Sequence, residues 1–141
     1  TMGSDVEMSH PASRFLILGT TLLLGAGGVA LIFAPVEIGG ALGLPDPAGI
    51  SVLFQLYGAA LFGLAMTGWM VKDAIVGGVF GRSYVVGNAS HALVGALVLA
   101  RPAVAEGATP TLRIITTGYW LLAIVFGYLM FMAAPQAQRQ P

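Results

Sequence analysis

Four long stretches without a single charged residue divide this chain, and they leave it little freedom of fold. Between Arg14 and Glu37 runs FLILGTTLLLGAGGVALIFAPV, between Asp46 and Lys72 PAGISVLFQLYGAALFGLAMTGWMV, between Arg82 and Arg101 SYVVGNASHALVGALVLA, and beyond Arg113 IITTGYWLLAIVFGYLMFMAA. A bilayer core about 30 Å thick is crossed by about 20 apolar residues of helix rising about 1.5 Å each. Lipid offers no partner to a peptide group, so a helix, which bonds its own backbone, is the form such a stretch takes. The expectation is an all-α membrane protein, a four-transmembrane-helix bundle with spans at about 14–35, 50–72, 83–101 and 112–134. These make one domain over residues 12–134, between an N-terminal tail at 1–11 and a C-terminal tail at 135–141. Residues 1–7, ahead of Met8, read as an appended segment.

Composition agrees with a lipid solvent. The 141 residues suffice for one domain; 57% are hydrophobic and 9% charged, against about 25% charged in an ordinary soluble domain. The bilayer is therefore the first expected partner. Six Lys and Arg balance six Asp and Glu, so no basic surface is available for a phosphate backbone, and nucleic acid is excluded as a partner. With no cysteine, disulfides, thiolate catalysis and thiolate metal sites are excluded too. The first apolar run is longer than a signal-peptide core and reads as a retained helix.

Orientation follows from the basic residues. Arg14, Lys72, Arg82 and Arg139 fall on one side of an alternating path and Arg101 and Arg113 on the other. The richer side is cytoplasmic by the positive-inside rule, giving a multi-pass inner-membrane protein with both termini in the cytoplasm. The third interval is the shortest and most polar, with Asn88, Ser90 and His91, and is kept as a span because three crossings would break this alternation. Pro35 closes the first span, Gly77, Gly78 and Gly81 break the inner connection, and Pro102 and Pro110 bracket the outer one, with Thr109 or Thr111 capping the last helix.

In lipid, helices associate through small residues that let backbones approach and through polar side chains. Gln55, Ala59, Gly63 and Thr67 form such a row on the second span, Gly87, His91 and Gly95 on the third with Asn88 and Ala92 beside them, and Gly27 and Gly28 cluster on the first. His91 is the one titratable residue well inside a span, which makes it the candidate catalytic residue, with hydrogen bonding to a neighbouring helix as its structural role. Counted from the inner ends, about 13 Å deep, Asn88, His91, Thr67, Thr21 and Tyr128 are expected to form a small polar pocket that binds a ligand. Gln55 joins the candidate ligand-binding residues in the outer half, where Gln55 and Tyr57 face the level of Thr116, Thr117 and Tyr119. Trp69 and Tyr84 are expected at the inner boundary as aromatic anchors.

Other chemistry lacks its residues. Bis-histidine haem needs a second imidazole, and His10 lies outside the spans; zinc needs three ligands that the spans do not contain. No metal is expected and no cofactor is assigned. The methionines, among them the Met66 and Met70 pair and Met130 and Met132, suit core packing or lipid contact better than copper.

The layout, with LYGAALFGLAMTGWMVKDA followed by a short basic turn and GNASHALVGALVLA, resembles small four-helix bacterial inner-membrane proteins of the DoxX-like kind, over most of residues 12–133. That resemblance implies a small membrane subunit, some relatives of which accompany quinone-dependent oxidation. It carries no catalytic motif. Three functions follow as expectations: a noncatalytic membrane subunit or hydrophobic-ligand-binding protein, in a homo-oligomer or beside a partner membrane protein; an oligomeric transporter or channel lined by Asn88, His91 and Gln55; or an enzyme on a quinone, isoprenoid or lipid, with His91 as acid or base and Asn88 or Tyr128 as orienter.

Overall fold

The computed structural model describes residues 10–46, 49–73 and 78–132. Residues 1–9 and 133–141, which include the segment ahead of Met8, Arg139 and the C-terminal tail, lie outside them, as do Pro47 and Gly77. The described residues fold into α1 (His10–Phe33), α2 (Pro35–Ala41), α3 (Ser51–Val71), α4 (Val79–Val104) and α5 (Pro110–Met132), without a strand. Four of the five, all but α2, are long and apolar enough to cross a membrane. The protein is an all-α four-span bundle, and large side chains such as Phe15, Phe33, Met70 and Phe131 stand more than three-quarters or close to three-quarters exposed around it. Water does not tolerate an apolar belt of that extent; a bilayer is its natural surround.

Local chemistry sets the ends of the helices. Pro35 has no N–H to continue α1 and instead starts α2, where its fixed φ suits the first turn. The short α2 occupies the connection that the charge pattern left as a turn. Thr109 caps α5: its Oγ1 accepts from the Leu112 N–H at 3.3 Å, and Pro110 follows as the first helical residue. Two expected breakers are helical instead. Gly81 is buried inside α4, and Pro102 lies in that helix's last turn, where losing one backbone bond matters little because the helix ends at Val104.

The helices run up and down. Arg14 Nε at the start of α1 lies 3.3 Å from Asp73 Oδ1 at the end of α3, and Ile17 of α1 packs with Tyr84, Phe126 and Leu129 of α4 and α5. The start of α1, the α3–α4 connection and the end of α5 therefore share one side. At the opposite end Gly43, at φ +77°, backs closely against Thr109, bringing the α2–α3 and α4–α5 connections together.

Two tight helix pairs make up the bundle. α1 packs along α3 and α4 along α5, whereas α3 and α4 touch sparingly. The first pair crosses at two glycines: a Cβ on Gly58 would stand 2.6 Å from the Gly28 carbonyl oxygen, and one on Gly28 2.7 Å from that of Gly58. Only glycine permits that approach. Leu24, Leu61 and Ala65 fill the space beside it. Along α4 the buried face is Tyr84, Val85, Asn88, Ala89, Ala92 and Ala96.

The packed rows thus differ from those the small residues suggest. On α3 the buried row is Gly58, Leu61, Ala65 and Gly68, while Gln55, Ala59, Gly63 and Thr67 are exposed. Of the polar pair in that exposed row, Thr67 donates within its own helix to the Leu64 carbonyl at 2.7 Å, and Gln55 donates across to the Ile32 carbonyl of α1 at 3.2 Å. Only Gln55 uses a neighbouring helix, at the end of α1. Gly87 likewise has open space beside it.

Candidate functional site

The loosely joined seam between the pairs holds a chain of three polar rings. α3 contributes Tyr57, α4 His91 and α5 Tyr119. The Tyr57 and Tyr119 hydroxyls are hydrogen-bonded to each other, and the Tyr119 hydroxyl lies 3.4 Å from His91 Nε2. The imidazole is flanked on both sides, its ring centroid 5.5 Å from that of Tyr119 and 6.1 Å from that of Tyr57. Gly95, one turn beyond His91, makes this possible: a Cβ there would run into the Tyr119 ring, so the missing side chain is the notch in which the tyrosine lies.

The depth of the site follows from where α4 begins. Its helix starts at Val79, so His91 is twelve residues from one end and thirteen from the other, about 18 Å in. That places the imidazole near the middle of α4, as does the count of nine residues from Arg82 and ten from Arg101. Tyr57 is 41% exposed and His91 and Tyr119 are half-buried, so the three rings are reachable from the side. Neutral imidazole offers one donor and one acceptor, and each phenol offers both. After the bonds they make to one another, the trio retains capacity to donate to a carbonyl or accept from a hydroxyl brought to the seam.

The sequence-derived candidates separate into different places. His91 joins Tyr57 and Tyr119, the level that the sequence marks as a second polar cluster. Asn88 and Thr21 come together around a different aromatic ring, that of Tyr84. Asn88 is buried and donates Nδ2–H to the Tyr84 carbonyl at 3.0 Å, and the Thr21 and Tyr84 hydroxyls both face Gly68, the latter 2.8 Å from where a Cβ on that glycine would be. Thr67 is exposed and bonded to its own helix. Gln55 is bonded to one of the last carbonyls of α1. Tyr128 is 54% exposed; nine residues from Tyr119, it points about 180° away at 3.6 residues per turn.

Tyr84 is the clear departure from expectation. It is buried, not a boundary anchor, because Gly68 makes room for it and Phe126 meets its ring edge-on with centroids 6.0 Å apart. Trp69 does stand at the surface, with Lys72 Nζ 4.5 Å above its ring. The Tyr84 hydroxyl lies close enough to the Thr21 hydroxyl and to Asn88 to interact, yet neither hydroxyl makes a hydrogen bond of normal geometry. A buried hydroxyl without a partner is destabilising, and removing both at constant shape is close to neutral or better. The double variant Thr21→Val with Tyr84→Phe is therefore expected to melt at or above the temperature of the natural chain, followed by circular dichroism in detergent. A loss of more than about 1 kcal/mol would mean that the two hydroxyls do bond.

What the sequence underweighted was the company His91 keeps. Tyr57 and Tyr119 stand at matching levels of α3 and α5, and Gly95 one turn from His91 was the remaining signal. Among the described residues no three of His, Cys, Asp and Glu gather closely enough to hold a metal ion. The comparisons add no relative to this geometry: no protein-family model, curated protein or solved structure matches the chain.

Proposed function

We propose that this protein is a noncatalytic inner-membrane subunit that binds a small lipid-soluble molecule with a carbonyl or hydroxyl head, of the quinone class, at Tyr57, His91 and Tyr119. The observation that carries the reading is the hydrogen-bonded chain of two phenols and one imidazole in a sparsely packed seam, with His91 near the middle of an apolar span. Polar groups are costly at that depth unless they are used. Such a molecule travels in the bilayer, and the partial exposure of Tyr57 gives it a lateral approach. The DoxX-like texture of the sequence favours the same ligand class. Arg14, Lys72 and Arg82 on one side, against Arg101 and Arg113 on the other, favour cytoplasmic termini. The exposed Ala59 and Gly63 leave α3 a face that another chain's helix can approach closely.

Native mass spectrometry of the protein released from mild detergent tests this. The natural chain is expected to retain a defined lipophilic molecule that His91→Ala loses, at unchanged subunit number. Equal retention by both, or by neither, counts against the site.

A further inference from the structure

The first helix pair carries a groove whose lining does not include Tyr57, His91 or Tyr119. An apolar groove of about 710 Å³ runs between α1 and α3, with Gly25, Ala26 and Ala30 along one wall and Phe62, Met66 and Trp69 along the other. It extends from Thr21 to Ala30 along α1, nine residues or about 13 Å at helical rise. One leaflet of a bilayer core about 30 Å thick has nearly that depth. The groove therefore matches a single acyl chain of one leaflet and is too short for a crossing helix to occupy along its full length.

Charge at one end identifies the leaflet and the head group. Trp69 lines that end, and Lys72 Nζ lies 4.5 Å above its ring. Lys72 also lies 3.6 Å from Asp73 Oδ2, and Arg14 Nε lies 3.3 Å from the other oxygen of the same carboxylate. Two cations share one anion, which leaves a net positive charge where the groove meets the membrane surface. An aromatic ring with a lysine over it, at the end of an apolar channel one leaflet long, is complementary to a phosphate above an acyl chain. We propose that the α1–α3 groove binds an anionic phospholipid, one acyl chain lying along Gly25, Ala26 and Ala30 and the phosphate held by Lys72 and Arg14. This site is independent of the ring cluster in the seam.

The test uses the purified full chain in detergent, titrated with dioleoyl phosphatidylglycerol or dioleoyl phosphatidylcholine and read by native mass spectrometry. Phosphatidylglycerol is expected to be retained roughly tenfold more strongly, a margin set by two basic groups near the surface. Arg14→Gln with Lys72→Gln should reduce it to the phosphatidylcholine level, and Ala26→Phe, which fills the groove without touching a charge, should abolish retention of both. Should the charge variant fail to fold, Ala26→Phe alone decides. Equal retention of the two lipids, or undiminished phosphatidylglycerol binding by Ala26→Phe, overturns the proposal. So does a lipid-free dimer that Ala26→Phe dissociates, since a second copy would then be the occupant.

Discussion

Replacing Gly58 with valine is expected to destabilise the folded protein by about 2 to 3 kcal/mol, a large effect for one exchange in an apolar helix. The Cβ would stand 2.6 Å from the Gly28 carbonyl oxygen, 2.9 Å from Leu31 Cβ and 3.0 Å from Ile32 Cγ1. The first of these is backbone, so no side-chain rotation relieves it. α1 and α3 must separate, and the contacts of Leu24, Leu61 and Ala65 loosen with them. Gly28→Val should do the same, because its Cβ meets the Gly58 oxygen at 2.7 Å and the Phe62 nitrogen at 2.9 Å. One separation accommodates both side chains, so the double variant should lose less than the sum of the two. Gly63→Val, where a Cβ meets nothing within 4 Å, is the control expected to fold as the natural chain does. Unfolding in mixed micelles, followed by circular dichroism, measures all four.

Binding rather than stability should respond most strongly to Tyr119. Its hydroxyl is the link between Tyr57 and His91, so Tyr119→Phe leaves the ring in place and breaks the chain at both ends. A site built to hydrogen-bond its ligand discriminates through those bonds, and affinity for a benzoquinone with a ten-carbon tail is expected to fall by about tenfold or more, equivalent to one good hydrogen bond. Gly95→Ala should produce a similar loss without removing any polar atom, because its methyl group would displace the tyrosine ring. Thr67→Ala should leave the affinity unchanged, since that hydroxyl is exposed and bonded to its own helix. Quenching of tryptophan fluorescence by the quinone, with Trp120 next to Tyr119 as reporter, follows the titration.

The spans were readable because a bilayer imposes one requirement on each, an uninterrupted apolar length, and the charges bound those lengths directly. Which face of each span packs was much less readable. In water the buried face of a helix is the apolar one, but α3 is apolar all round, so the row Gln55, Ala59, Gly63, Thr67 and the row Gly58, Leu61, Ala65, Gly68 look equally suitable. The difference lies in Gly28, which needs a glycine opposite it, and that is a relation between helices rather than a pattern within one. The site shows the same division. His91 stands out as an ionisable residue in a span, and Tyr57 and Tyr119 fall at matching levels by residue count. Their meeting with His91 depends on how α3, α4 and α5 face one another across the seam, a relation between helices that no single span displays.

Whether His91 and Tyr119 form one ligand site is read at the residue itself by nitrogen NMR of imidazole-labelled protein in lipid nanodiscs, titrated with the ten-carbon-tailed benzoquinone. The chain has two histidines, so His91→Gln assigns the signals. The His91 nitrogens are expected to shift with added quinone, those of His10 to stay unchanged, and Tyr119→Phe to remove the response. A His91 signal indifferent to quinone, or one that shifts equally when Tyr119 is phenylalanine, would contradict a shared site.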